Sequence, residues 1–339
     1  MLITHPNQSM IYDAIKLAFR HLSQEEFAAR QLLILNLMNA GTIEQDGFFI
    51  GVDNNTIVGV LISHLRPDGL VMIWSPTTSG DFSFQPFFTP LDNYARSRNA
   101  PAIILMIDKN QSIDEKIILE NGFEYISDML MLVSDASEES KNVKAYFPQD
   151  KQTNLGENSN AISLKDLSQN ESEFSLRFVP LSEDTETNAN NELNSQKRLE
   201  KLMIDTYVNT NDFPKLLALS PTKRILDEYR RNDLFRPELW FFVQKLCKSA
   251  DNENKDVGVL LLTDSPPNQI ELTYMGLIES ERGCGYSREI IKFAKKTALV
   301  YGRKLVTTTV DEQNAPALRS YIKQNFVAWD RKKIYAKFL

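Results

Sequence analysis

Between Leu272 and Val300 the chain passes from an apolar run through Glu281-Arg282-Gly283-Cys284-Gly285-Tyr286-Ser287 into a basic amphipathic stretch. No other feature constrains the fold as much. The pattern predicts a strand, a glycine-rich turn and a helix. The first N–H groups of such a helix have no intrahelical acceptor, and the helix dipole adds partial positive charge at the same point. A corner of this kind is predicted to bind a phosphate or pyrophosphate.

Two common versions of the corner do not fit. Gly283-x-Gly285 starts a dinucleotide fingerprint, but Arg288 stands at the third glycine position, where it blocks close helix–strand packing. No Gly-Lys-Ser/Thr follows, so a P-loop is excluded. What remains is Arg282-x-x-Gly285-x-Ser287.

A length of 339 residues predicts two domains, and 42% hydrophobic with 24% charged residues is an ordinary globular balance. The net charge of −7 argues against a nucleic-acid partner. Cys247 and Cys284 are too far apart for a disulfide framework or a zinc site, so no metal is expected. His5, His21 and His64 all lie far from the glycine turn, which leaves nucleophile–histidine catalysis without support. No apolar run reaches the roughly 20 residues that span a bilayer. Met1–Met10 lacks a signal-peptide pattern. The expectation is a cytoplasmic protein, monomer or homodimer, with no membrane partner.

Periodicity predicts helices at 8–21 and 24–39, strands at 47–52 and 56–65 around Asn54-Asn55, and strands at 70–75 and 102–107. A helix at 113–121 and a strand at 124–133 follow. Polar residues then dominate, and 136–172 is predicted to be a linker between domains at 1–135 and 173–339. The second half predicts strands at 174–179, 239–245, 257–263, 271–277, 305–310 and 328–338. Its helices fall at 191–207, 222–231, 287–300 and 315–324. The halves also share a spacing. Asp108-Lys109-Asn110-Gln111 precedes Gly122-Phe123 as Asp311-Glu312-Gln313-Asn314 precedes Asn325-Phe326, which suggests a diverged repeat.

The glycine turn resembles the Gln/Arg-x-x-Gly-x-Gly/Ala signature of the GNAT superfamily of acetyl-CoA-dependent N-acyltransferases, with Ser287 at the last position. Downstream, Asn314, Ala317, Tyr321 and Phe326 match the family's Asn-x-x-Ala-x-x-x-Tyr-x-x-x-Gly-Phe segment, with Asn325 for the glycine. The resemblance implies an α/β fold of two GNAT-like domains, each a mixed, mostly antiparallel sheet flanked by helices. It also implies that acetyl-CoA, or a related acyl-CoA, is a cosubstrate. The acyl group would pass to a small-molecule or peptide amine by direct attack. A non-catalytic acyl-CoA-binding or regulatory protein is the alternative.

By the same resemblance, the backbone of Met275, Gly276 and Leu277 binds the pantetheine arm, Gly276 letting a ligand approach the backbone, with a strand bulge or packing glycine as the alternative. Arg282 and the N–H groups of Gly283, Cys284, Gly285, Tyr286 and Ser287 hold the pyrophosphate. Asn314 bonds the pantetheine or caps its helix. Tyr321 is the candidate general acid for the thiolate, and Glu271 the candidate base. Cys284 reads as a filler, and Arg288, Lys292, Lys295 and Lys296 mostly as a solvated face. The acceptor is expected near Asn209–Phe213. The N-terminal copy has neither the signature nor a tyrosine at Ile118, so it is expected to be degenerate, and His64 to be a surface residue.

Overall fold

The computed structural model describes residues 1–74, 76–108, 111, 113–137, 175–182, 189–230, 234–246, 254–265 and 267–339. Most of the predicted linker, together with Lys109, Asn110 and Cys247, lies outside the described residues. The chain folds as two compact units. The first comprises Met1–Met129, Lys215–Glu228 and Arg331–Leu339, and the second Leu130–Pro214 and Tyr229–Asp330.

In the first unit, β1 (Leu2–Thr4), β2 (Phe48–Asp53), β3 (Thr56–Leu65) and β4 (Val71–Trp74) pair antiparallel in that order. A short β5 (Thr77–Thr78) pairs with β3. β4 then runs parallel to β6 (Ala102–Asp108). The β2–β3 hairpin turns at Asn54 and Asn55, with φ of 46° and 62°, the left-handed pair a two-residue hairpin needs. Helix α1 (Ile11–Ala18) precedes α2 (Gln24–Asn39), whose start is fixed by a capping box. Ser23 Oγ accepts from Glu26 N–H at 3.3 Å, and Glu26 accepts from Ser23 N–H at 2.9 Å. α3 (Phe88–Ser97) and α4 (Glu115–Glu120) complete the unit's first 129 residues. α3 was not predicted. It begins among the buried aromatics Phe84, Phe87 and Phe88, and no glycine marks its start. His64, expected at the surface, is half-buried, its ring tilted against Trp74 with centres 4.9 Å apart, and burial lowers its imidazole to about 4.

The second unit repeats the plan. β8 (Leu176–Pro180), β9 (Trp240–Lys245), β10 (Lys255–Ser265) and β11 (Gln269–Leu277) are antiparallel, and β11 runs parallel to β12 (Leu305–Asp311). Its helices are α5 (Ala189–Tyr207), the short α6 (Pro214–Leu217), α7 (Thr222–Arg230), α8 (Tyr286–Val300) and α9 (Ala315–Lys323), of which α6 and most of α7 group with the first unit. Ile290, Ile291, Ala294 and Ala298 of α8 are buried in the core, while Ser287 at its start is only half-buried. Phe293 joins them, stacked on Phe178 at 3.8 Å. Lys295, expected on a solvated face, is buried as well. Its ammonium donates to Gln324 O at 2.8 Å and sits 5.5 Å from the Phe326 ring centre, which offsets its desolvation.

The shared spacing has a structural counterpart. Asp108 ends β6 as Asp311 ends β12. Gly122 and Asn325 each close a short helix at φ of 85° and 63°, and Phe123 and Phe326 are each 3% exposed. The helix-ending position demands a left-handed residue, and asparagine tolerates that conformation better than any residue but glycine.

The long strands β7 (Glu124–Asp135) and β13 (Val327–Phe338) depart from a simple repeat. The strand beside β6 is β13, paired antiparallel from Lys332–Asp108 to Phe338–Ala102. The strand beside β12 is β7. Each unit thus completes its sheet with a strand from the other half of the sequence. Ile334, Tyr335 and Ala336 are at most 3% exposed, so this strand is core.

A chain ending at Asp330 should therefore lose the first unit's sheet order. Amide exchange at Ala102–Asp108 should rise towards that of an open edge, while Trp240–Lys245 stay protected. Unchanged protection at Ala102–Asp108 would refute the dependence.

Candidate active site

β11 and β12 are paired only at Gln269–Leu305, Ile270–Val306, Glu271–Thr307 and Leu272–Thr308. At the last rung the Thr308 hydroxyl donates to Leu272 O at 2.9 Å. On its other side β11 carries a bulge: Leu261 faces Tyr274 and Leu262 faces Leu272, so Thr273 has no counterpart on β10. The Thr273 and Thr263 hydroxyls are 2.7 Å apart there. A bulge bends the strand that contains it. Beyond it β11 and β12 no longer pair, and a pocket of about 230 Å³ opens between them.

Met275, Gly276 and Leu277 line the pocket, with Gly283, Ser287, Asn314 and Tyr321. A Cβ at Gly276 would lie 2.6 Å from the Tyr274 hydroxyl and 2.7 Å from Thr206 Oγ1. Those two oxygens are themselves hydrogen-bonded at 2.7 Å. The absence of a side chain at Gly276 is thus required by the seating of α5 on β11.

α8 starts at the pocket's rim. Gly283 and Gly285 have φ of 76° and 86°, conformations that cost L side chains roughly 1–2 kcal/mol. A Cβ at either would meet nothing within 4 Å, so backbone conformation rather than crowding calls for glycine here. The N–H groups of Gly283 to Ser287 have no backbone acceptor among the described residues. Ser287 Oγ lies 3.1 Å from Ser320 Oγ and ties the start of α8 to α9. Cys284 is exposed, its sulfur 3.7 Å from Arg282 O.

The Arg282 guanidinium, expected on the pyrophosphate, is directed elsewhere. It donates to Thr206 O and Val208 O at 2.8 Å, and to Asn209 O and Leu277 O at 3.1 Å. Its own N–H donates to Glu279 O at 3.2 Å. The last carbonyls of a helix have no intrahelical donor and lie at the negative end of its dipole. One arginine fills that need at the end of α5 and holds α5 to β11 and the glycine turn.

Tyr321 lies in the pocket wall, 5% exposed, and shares a hydrogen bond with Thr308. Burial pushes its phenol well above the usual range, so it keeps its proton at neutral pH. Asn314 caps α9 by accepting from Ala317 N–H at 3.3 Å, with Pro316 in the first turn. Glu271 is half-buried on β11, and burial raises its carboxyl, but it is not part of the pocket wall.

The sequence pointed to the Asn209–Phe213 loop without singling out Asp212. This residue lines the pocket, and its carboxylate accepts from Asp311 N–H at 3.3 Å and from the Asn314 side chain. Nothing local distinguishes an aspartate in a polar loop from a solvated one. Only the return of β12 and α9 to that loop brings it into the pocket. Among the described residues no group of side chains is arranged to hold a metal ion, and no helix is long and apolar enough to cross a membrane.

Known proteins share this architecture. Residues 210–326 match the model of the acetyltransferase (GNAT) family. A GCN5-related N-acetyltransferase from Sphaerobacter thermophilus superposes with a TM-score of 0.56 at 12% identity, over 99% of this chain and 95% of its own. A GCN5-related glucosamine N-acetyltransferase region of a fungal multi-domain GH3 beta-N-acetylglucosaminidase gives 0.54 at 10% identity. The match covers 99% of this chain and 38% of that one. At these identities the likeness is one of fold. No curated protein matches the sequence. The parted parallel strands, the glycine turn and the family match agree: this chain carries an acetyltransferase (GNAT) family domain at residues 210–326, within a GNAT-like fold.

Proposed function

We propose that the second unit is an acyl-CoA-dependent N-acetyltransferase that passes the acetyl group of acetyl-CoA directly to an amine. The observation that carries this reading is a single pocket formed where β11 and β12 part, walled by Tyr321 and bordered by a turn whose N–H groups await acceptors. In this reading the N–H groups of Gly283 to Ser287 hold the pyrophosphate. The exposed backbone edge of Met275 to Leu277 takes the pantetheine arm and polarises the thioester carbonyl. Tyr321, kept protonated by burial, gives its proton to the departing thiolate. Arg282 supports the cradle from behind by fixing α5 to it.

The first unit is assigned no turnover. β4 ends at Trp74 while still paired with Met106, and α3 starts among buried phenylalanines where the second unit has open glycines.

Calorimetry should show acetyl-CoA binding to the wild-type chain. Gly285→Ala should weaken it roughly tenfold if ~1.4 kcal/mol of left-handed strain falls on the bound form. Failure of the wild type to bind would end the reading.

Tyr321→Phe should retain binding and lower the rate of thiol release by about 10²-fold or more. An unchanged rate would remove the phenol from the mechanism.

Arg282→Met should destabilise the fold by about 1.5–3 kcal/mol in chemical denaturation, because its bonds come from a charged donor. A neutral result would contradict the structural role.

A further inference from the structure

The pocket contains a carboxylate that the reading above leaves without a task. Asp212 lies in the loop between α5 and α6. Two residues of that loop, Asn209 and Phe213, have φ of 51° and 43°. Asparagine tolerates this conformation, but for Phe213 it is costly and persists where surrounding contacts enforce it. Here the contacts are reciprocal. Asp311 N–H donates to Asp212, while Asp311 Oδ2 accepts from Phe213 N–H at 3.1 Å. Asp311 is 2% exposed, so a second buried acidic side chain lies directly behind Asp212, which itself lines the pocket.

Among the described residues no cation bears on Asp212, and Arg282, which lines the same pocket, is turned to the backbone carbonyls of Thr206 and Val208. The groups facing Asp212 are Tyr207 on α5, Tyr274 on β11, Asp311 on β12, and Asn314 and Tyr321 at α9. Among the described residues no lysine or arginine forms an ion pair with Asp212. Burial, reinforced by the Asp311 charge, raises its carboxyl to about 6, and the bonds from Asp311 N–H and Asn314 limit the rise. The carboxylate is near enough for its charge to bear on the Tyr321 phenol across the pocket.

We propose that Asp212 is the general base of the acyl transfer, accepting the proton that the acceptor nitrogen sheds as it attacks the thioester. This inference rests on the acyl-transfer reading. The nitrogen lone pair forms the C–N bond, and the carbonyl π pair moves to oxygen. An N–H proton then passes to the Asp212 carboxylate. When the C=O bond re-forms, the C–S bond breaks. Sulfur leaves with that electron pair and takes the Tyr321 proton. Asp212 releases its proton to solvent and Tyr321 regains one, so amine and thioester become amide and thiol. Asn314 is a positioning residue, joining the cap of α9 to the base.

Because the base acts as the carboxylate, wild-type turnover should rise with pH through about 6. The test measures thiol release from acetyl-CoA with spermidine, glucosamine and a lysine-containing peptide from about pH 5 to 9, beside acetyl-CoA binding by calorimetry. Asp212→Asn should keep its acetyl-CoA affinity, lose about 10²-fold or more in kcat, and lose the acid limb. Asp212→Glu should restore part of the rate together with the limb. Full kcat with an unchanged limb in Asp212→Asn would overturn the assignment. So would loss of the limb in Glu271→Gln with its retention in Asp212→Asn. Absence of thiol release from the wild type with every amine would overturn the acyl-transfer reading itself. That outcome is read without any variant, so the two failures are distinguishable.

Discussion

The separation of β11 from β12 after Leu272–Thr308 is the constraint on which the site depends. Parallel strands normally continue their ladder, because unpaired backbone groups in a sheet are costly. Here the Thr273 bulge turns β11 aside just as the Thr308 hydroxyl takes the last carbonyl. The groups released on the far side of that rung face a cavity instead of a partner strand. A ligand with its own amide donors and acceptors, such as a pantetheine arm, can complete the interrupted ladder.

Everything around the cavity keeps that opening in shape. Tyr274 and Thr206 lock α5 against β11, which leaves no room for a side chain at Gly276. Arg282 links the carbonyl end of α5, β11 and the glycine turn through one guanidinium. Ser287 and Ser320 tie α8 to α9, and Asn314 joins the cap of α9 to Asp212. These are short polar contacts between rigid elements, the kind of support that holds reacting groups in a fixed geometry.

Local signals were the legible part of this chain. The Asn54-Asn55 hairpin, the glycine turn at Gly283 and Gly285, and the capped helix start at Asn314 are decided within a few residues. α3 was missed because aromatic packing rather than a capping residue starts it. Arg282 looked like a ligand for an anion because its motif position is local, whereas the carbonyls it serves lie some 75 residues earlier. The burial of Lys295 depends on Gln324 O and the Phe326 ring, neither of which its own helix reveals. Asp212 is the same case at longer range, since Asp311 and Asn314 must return to it.

The crossed supply of strands bears on synthesis. As the chain emerges from the ribosome, β6 is made long before β13, its neighbour in the finished sheet. Until about 220 further residues have been translated, its Ala102–Asp108 edge has no permanent partner. An exposed edge invites pairing with other chains. The nascent first half is thus the stage at which this protein most needs shielding, and its own C-terminal strand is the last piece to close the sheet.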